Sequence, residues 1–206
     1  IMKYSSNPII IVVSNPLDAM SYVSWKVSGL SSERVIGMAG LLDTARYKSF
    51  LGEALDCSVK DIQAITLGGH GDDMVPLPRY TTVNGIPLLE LIGGEELDAI
   101  VNRTRKGGGE LVALMGTSAW YAPGAAAAQM VEAIVEDQKR VFPVCAMLNG
   151  EYGLKDIYLG VPVKLGENGI EEIIEIDLNA DEKELVKISS DAVKSVIQVL
   201  DDLKLI

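Results

Sequence analysis

The chain begins its first structural element with Pro8-Ile9-Ile10-Ile11-Val12-Val13-Ser14-Asn15-Pro16, and this segment sets the fold class. Its apolar residues are continuous rather than alternating, which is typical of a strand buried on both faces inside a parallel sheet. Pro16 and Asp18 then favour a helix over Asp18–Ser28 that ends at Gly29. Asn15 would lie at the carboxyl end of a parallel strand, where open α/β sheets bind ligands. It is therefore a candidate binding residue, although asparagine before proline is also common in simple turns.

Apolar spacing and turn signals predict the elements that follow. Residues 41–51 have the spacing of a helix, and residues 62–67 form an apolar run that predicts one mostly buried strand. Asn84-Gly85 lies between two apolar segments and predicts a hairpin with a type I′ turn. A helix over residues 95–105 is predicted to break at Lys106-Gly107-Gly108-Gly109 and to restart at Glu110. The alternative for the three glycines is an anion cradle before a helix.

The second half of the chain predicts two helices around an antiparallel sheet. The alanine-rich helix over residues 124–136 has small side chains that allow close packing within a subunit or across an interface. Short turns join three predicted strands into an antiparallel meander, over residues 140–148, 156–165 and 171–177. The last helix, Asp181–Leu203, is amphipathic and is expected to pack on the sheet.

The first strand suggests how the chain divides. A parallel strand needs partners joined by crossover connections, and the few residues before it supply none. We therefore expect the sequence to start inside a domain. Residues 1–30 are predicted to be the tail of a parallel α/β domain. Residues 31–206 are predicted to form a second domain that mixes antiparallel strands with long helices.

Composition excludes several classes of function. The net charge of −11 makes nucleic acid and anionic membranes poor partners. No apolar run is long enough to cross a membrane. Two cysteines and one histidine do not make a metal site. Two lone thiols predict a reduced, cytoplasmic protein.

His70, the only histidine, lies in the segment Gly68-Gly69-His70-Gly71-Asp72 directly after a predicted strand. Three glycines allow the backbone to turn sharply and to approach a small molecule closely. Imidazole is the side chain best suited to moving a proton near neutral pH. His70 is therefore a candidate acid/base, and a loop histidine without a role is the alternative.

Asp43 and Arg46 are three residues apart on a predicted helix, so they share one face. An exposed ion pair at this spacing contributes only a few tenths of a kcal/mol, roughly. Two features point to more than that, because the pair follows a glycine-rich entry and its helix is otherwise mostly apolar.

Together these residues suggest one chemistry. Arginine binds a carboxylate through two parallel hydrogen bonds, and asparagine donates to a hydroxyl or carbonyl oxygen. A carboxylate beside imidazole fixes its tautomer and stabilises its charged form. Arg46, Asn15, Asp43 and His70 would then suit oxidation of a hydroxyl group next to a carboxylate. Because no side chain accepts a hydride, the reaction would need a cofactor such as nicotinamide.

The sequence resembles the NAD-dependent 2-hydroxy-acid dehydrogenases of the lactate/malate dehydrogenase family, and it resembles the malate enzymes more than the lactate enzymes. The resemblance extends from Ser6 to the final helix. It is strongest in four segments: Val12-Val13-Ser14-Asn15-Pro16, Gly37-Met38-Ala39-Gly40-Leu41-Leu42-Asp43-Thr44-Ala45-Arg46, Gly69-His70-Gly71-Asp72 and Met74-Val75-Pro76.

The resemblance implies a role for each candidate residue. His70 matches the catalytic acid/base, Asp43 its carboxylate partner and Arg46 the group that binds the substrate carboxylate. Asn15 and Ser118 match residues close to the substrate. Val13, Ser14 and Asn15 match the strand end that lines the NAD site. The family also implies a small-molecule substrate, malate or oxaloacetate, and a homodimer or homotetramer.

The sequence departs from the family pattern in one respect. It has no G-x-G-x-x-G loop to hold the pyrophosphate of NAD, and no counterpart of the arginine-bearing loop that separates malate from lactate. The resemblance therefore implies the remnant of a Rossmann parallel sheet followed by an α+β substrate domain. Two alternatives stay open, an L-lactate dehydrogenase and a catalytically inactive, self-associating fragment.

Overall fold

The computed structural model describes residues 1–202. Its first strand β1, Ile10–Val12, is followed by helix α1, Leu17–Ser28, and by strand β2, Val35–Gly37. The two strands are parallel, with Ile11 opposite Ile36. Helix α1 ends at Gly29, whose φ of 67° is a conformation that glycine adopts without strain. The predicted parallel strand and its helix are therefore confirmed.

β1 is less buried than the sequence predicts. Val12 is buried, but Ile10 and Ile11 are only partly buried. The reason lies in the sheet, whose strand order is β1-β2-β8-β9-β10. Within the described residues β1 is an edge strand, so the prediction that it is buried on both faces is wrong.

The centre of this sheet is the predicted antiparallel meander. It consists of β8, Arg140–Asn149, β9, Lys155–Gly166, and β10, Gly169–Ile173, which ends earlier than predicted. β2 joins β8 antiparallel at a single residue pair, Gly37 and Cys145. A Cβ atom on Gly37 would lie 2.6 Å from Cβ of Cys145, so a side chain there would separate the two strands.

The prediction of a single strand over residues 62–67 is wrong, because these residues form two separate strands. β3, Ile62–Gln63, pairs with β6, Thr82–Val83, whereas β4, Thr66–Leu67, pairs with β5, Val75–Pro76, in a different sheet. Each half has its own partner, so the chain must bend between them.

The predicted hairpin is confirmed, although its first strand is only two residues long. β6 turns into β7, Ile86–Pro87, through Asn84 with φ 48° and Gly85 with φ 88°. Positive φ at both central residues is the signature of a type I′ turn.

Within residues 1–202, four further α-helices surround the sheets. They are α2, Ala39–Ala54, α3, Gly94–Met115, α4, Tyr121–Val135, and α5, Ala180–Asp202. The predicted break at Lys106–Gly109 is wrong, since α3 runs through it. Each glycine costs a helix about 1 kcal/mol relative to alanine, which packing can offset. The predicted end of the last helix, Leu203, lies outside the described residues.

The described architecture confirms the α/β class, with a parallel strand pair, antiparallel sheets and long helices. The main core surrounds β8 and β9, where Val161 and Val163 are almost fully buried. A second core between α2 and α3 contains Tyr47 and Leu51. Across residues 1–202, no helix is both long enough and apolar enough to span a membrane.

Candidate active site

A cavity of about 590 Å³ opens where β1 ends, between α2, α3 and the turn that joins α3 to α4. Five of the predicted site residues line it: Val13, Asn15, Arg46, His70 and Ser118. Asp43 is buried behind the wall, where it contacts His70 and Arg46. Ser14 is exposed at the strand end and does not line the cavity. The structure thus brings together side chains that lie far apart in the sequence.

The loop that carries His70 closes the hairpin of β4 and β5. At its start, Gly68 exchanges two backbone hydrogen bonds of 2.9 and 3.0 Å with Gly160 on the central strand β9. Gly68 has a φ of 85°, and a Cβ atom on Gly160 would approach the Gly68 carbonyl oxygen to 2.4 Å. Glycine is therefore required at both positions, for backbone conformation in the first and for close approach in the second.

Three helices hold this loop by single hydrogen bonds. The backbone N–H of His70 donates to Oδ2 of Asp18 in α1 over 2.8 Å. The N–H of Gly69 donates to Oγ of Ser189 in α5, also over 2.8 Å. Nε of Arg105 in α3 donates to the carbonyl oxygen of Met74 over 3.0 Å. The backbone of the histidine is thus fixed from three directions.

A buried carboxylate orients the His70 ring. Nδ1 of His70 lies 2.8 Å from Oδ2 of Asp43, and the other oxygen, Oδ1, accepts a 3.2 Å hydrogen bond from Nη1 of Arg46. The Asp43 side chain is 2% exposed, compared with 17% for His70 and 13% for Arg46. Because Nδ1 faces the carboxylate, Nε2 is the ring nitrogen that a ligand in the cavity can reach.

This environment raises the pKa of His70 above its ordinary value of 6.5. Burial of the ring lowers the pKa, and the nearby Arg46 guanidinium acts in the same direction. The hydrogen bond and negative charge of Asp43, together with the charge of Asp18, outweigh both effects. The direction agrees with the effect that the sequence predicts for an Asp43–His70 pair.

Arg46 packs closely against α3 because Gly107 has no side chain. A Cβ atom on Gly107 would lie 2.3 Å from Cδ and 2.8 Å from Nε of Arg46. Gly108, the next residue, lines the cavity. The three glycines lie inside α3, so they are neither a helix break nor an anion cradle at a helix start.

Sequence reasoning missed Asp18, Ser189 and Arg105. An acidic residue in the first turn of a helix is explained by the helix dipole alone, so Asp18 gives no further signal. Ser189 and Arg105 occupy unremarkable helical positions. Their role depends on long-range contacts, which local patterns do not encode.

The fold and site define an α/β protein whose cleft holds a carboxylate-bound histidine beside an arginine. The family model described as lactate/malate dehydrogenase, alpha/beta C-terminal domain, matches residues 41–202, and the one described as lactate/malate dehydrogenase, NAD binding domain, matches residues 1–37. The chain belongs to the lactate/malate dehydrogenase family.

Two relatives indicate the degree of similarity. The malate dehydrogenase of Cytophaga hutchinsonii is 64% identical over 203 residues, which are 98% of this chain and 65% of the relative. That of Salinibacter ruber is 59% identical over 200 residues, 97% of this chain and 63% of the relative. The chain therefore spans less than two thirds of the length of either relative.

Solved structures agree with this assignment. Malate dehydrogenase from Salinibacter ruber superposes with a TM-score of 0.97 at 57% identity, over 98% of this chain and 67% of that one. Lactate dehydrogenase from Eimeria maxima with NADH and oxamate superposes with a TM-score of 0.95 at 41% identity, over 98% of this chain and 63% of that one. The fold alone does not separate the two activities.

Proposed function

We propose that the chain acts in a malate dehydrogenase, which converts (S)-malate and NAD⁺ into oxaloacetate, NADH and a proton. The observation that carries the proposal is the cavity wall on which the His70–Asp43 pair meets the Arg46 guanidinium. Relatives named malate dehydrogenase, at 64% and 59% identity, favour malate as the substrate.

In this proposal Arg46 binds the carboxylate of the substrate next to the reacting carbon. Its planar guanidinium offers two parallel donors, and Asp43 fixes Nη1 at 3.2 Å. The side-chain amide of Asn15 donates to the hydroxyl or carbonyl oxygen of the substrate. The Ser118 hydroxyl contacts the substrate from the turn that follows α3.

His70 would move the proton. During malate oxidation Nε2 accepts the hydroxyl proton, and the Asp43 carboxylate stabilises the imidazolium that forms. During oxaloacetate reduction the same nitrogen returns the proton to the carbonyl oxygen. The raised pKa of His70 keeps more of the ring protonated near neutral pH, which favours the reduction.

The strand end fits the nicotinamide end of NAD. Val13 is 44% exposed there, and Pro123 and Ala127 add apolar surface to the cavity wall. We assign to this site Val13 and Asn15, which line the cavity, and Ser14, which lies exposed between them at the strand end. When bound, NAD supplies the hydride acceptor that no side chain provides.

The test compares substrates on the complete enzyme in which the chain is proposed to act. NADH oxidation is followed by the loss of absorbance of the reduced cofactor, with oxaloacetate or pyruvate as the substrate. We expect kcat/KM to favour oxaloacetate by about 100-fold or more, and His70→Asn to remove most of the turnover while the protein stays folded. Faster turnover of pyruvate would instead assign the site to lactate.

A second candidate is an inactive fragment that self-associates. The observation in its favour is that the 206 residues contain no G-x-G-x-x-G segment to bind the pyrophosphate of NAD. A titration of NADH fluorescence with the chain distinguishes the candidates. Tight binding excludes the inactive fragment, and no binding at millimolar NADH, roughly the upper range of enzyme affinities, supports it.

We propose a homodimer or homotetramer, supported by exposed Val131 and Val135 on the alanine-rich helix α4, and testable by light scattering. A reducing, cytoplasmic location is consistent with the free thiols of Cys57 and Cys145. The division of the chain into residues 1–30 and 31–206 stays a prediction.

A further inference from the structure

Asp18 is a buried carboxylate beside His70 that the proposed reaction leaves without a role. It lies in the first turn of α1 and is only 5% exposed. Both oxygens have partners, since Oδ2 accepts the backbone N–H of His70 over 2.8 Å and Oδ1 accepts the thiol of Cys145 over 3.1 Å. Burial of a carboxylate costs desolvation free energy that an apolar residue would not, so a functional role for Asp18 is worth considering.

The charge balance around Asp18 indicates what that role is. Burial raises its pKa, and the hydrogen bonds from His70 and Cys145 offset this only in part. Within residues 1–202, no lysine or arginine forms an ion pair with it. The positive charge that can form beside it is the imidazolium of His70. The charge of Asp18 therefore raises the pKa of His70, and the charge of His70 lowers the pKa of Asp18.

Two other contacts hold the loop in position without adding a charge. Ser189 in α5 and Gly160 in β9 hold the neighbouring residues Gly69 and Gly68, and both do so with neutral groups. These contacts already restrain the path of the backbone. The carboxylate of Asp18 adds a negative charge on the α1 side of the histidine, while Asp43 supplies one at Nδ1 from α2.

We propose that Asp18 is a positioning residue that holds the His70 backbone and stabilises the imidazolium as a second carboxylate. The histidine would then carry its proton between two buried acids from two helices. The consequence for turnover rests on the proposed dehydrogenase function, whereas the effect on the charge of His70 does not.

Other charged groups face His70 and must be kept constant in the test. Asp43 and Arg46 approach from α2, and Arg105 of α3 donates to the carbonyl oxygen of Met74 in the His70 loop. Asp73 of the same loop lines a small cavity of about 120 Å³ beside the ring. From β8 the thiol of Cys145 donates to Asp18, and burial and the Asp18 charge raise its pKa well above the ordinary value, so it stays neutral.

The experiment uses the fact that His70 is the only histidine in the chain. Its C2 proton gives one resonance, so an NMR titration measures its pKa directly. Asp18→Asn keeps the shape and an acceptor for the N–H of His70 but removes the charge. We expect the pKa of His70 to fall in this variant. A pKa equal to that of the wild-type protein would overturn the proposal.

Cys145→Ser is the matched control, because the hydroxyl still donates to Asp18 and no charge changes. We expect its His70 pKa to equal that of the wild-type protein. Ser189→Ala removes a neutral contact of the same loop, so it should loosen the loop without lowering the pKa. A fall of equal size in Ser189→Ala would assign the effect to position rather than charge and would contradict the proposal.

Two further measurements extend the test. In the wild-type protein, the ¹³Cγ signal of Asp18 should move with the same midpoint as the His70 titration, and a flat signal would contradict the coupling even if Asp18→Asn fails to fold. In oxaloacetate reduction, Asp18→Asn should lower kcat roughly tenfold and leave KM nearly unchanged. If oxaloacetate is not a substrate, the proposed function fails while the NMR result still decides the role of Asp18.

Discussion

Asp43 has two partners, and this explains why it lies behind the cavity wall rather than in it. One carboxylate oxygen orients His70 at 2.8 Å and the other orients Arg46 at 3.2 Å. The proposed acid/base and the proposed substrate clamp therefore share one fixed reference point. Because the carboxylate is 2% exposed, its charge acts on both with little screening by water.

This arrangement predicts the effect of Asp43→Asn. The amide can still accept a hydrogen bond, but it cannot stabilise an imidazolium, so the pKa of His70 should fall. Oxaloacetate reduction needs protonated His70, and its rate falls as pH rises through that pKa. In the variant this decline should therefore begin at lower pH, and kcat should drop about 10²- to 10⁴-fold. NMR titration and pH–rate profiles measure the two effects.

Asp72→Asn is the matched control, since Asp72 is exposed on the same loop. It removes the same formal charge two positions from His70 without removing a hydrogen bond to the ring. Its pH–rate profile should match that of the wild-type enzyme. Equal changes in both variants would mean that general charge, rather than the Asp43 contact, sets the pKa of His70.

The helices and strands differ in how far local sequence predicts them. α1, the type I′ hairpin and the meander follow from capping, turn residues and apolar spacing. The unbroken α3 does not, because one of its glycines, Gly107, makes room for the side chain of Arg46 from another helix. The division of residues 62–67 into β3 and β4 likewise depends on the partners that each half finds.

The contact between α3 and Arg46 predicts the result of Gly107→Ala. A methyl group would meet Arg46 at 2.3 Å and displace the guanidinium from its position beside Asp43. We expect KM for oxaloacetate to rise about 10- to 100-fold, with a smaller change in kcat, because the carboxylate of the substrate loses part of a charged hydrogen bond. Steady-state kinetics measure both constants.

Gly109→Ala provides the comparison within the same helix. It adds the same methyl group and the same gain in helix propensity, about 1 kcal/mol, but no atom lies within 4 Å of the new Cβ. KM should stay unchanged. If both variants raise KM equally, the cause is the helix itself and not the position of Arg46.

At the scale of the whole molecule, the site is built from elements that are far apart in sequence. The bond from His70 to Asp18 spans 52 residues, and the bond from Gly69 to Ser189 spans 120. Motif matching located His70, Asp43 and Arg46 because each lies in a recognisable segment. It could not locate their supports, which are ordinary helical residues until α1 and α5 pack around the loop. The packing of α5 is therefore part of the site.

Gly69 packs closely against Val193 of α5. A Cβ atom on Gly69 would lie 2.6 Å from Cγ2 of Val193, whose branched side chain has little rotamer freedom in a helix. Gly69→Ala should therefore lower the free energy of unfolding by about 1–3 kcal/mol through overpacking. Val193→Ala alone should lower it by about 1–2 kcal/mol through lost burial. In the double variant the new methyl group occupies the space that valine leaves, so the combined loss should be smaller than the sum by about 1 kcal/mol or more. Urea unfolding of the four proteins measures this coupling, and strict additivity would mean that α5 does not constrain the loop at this contact.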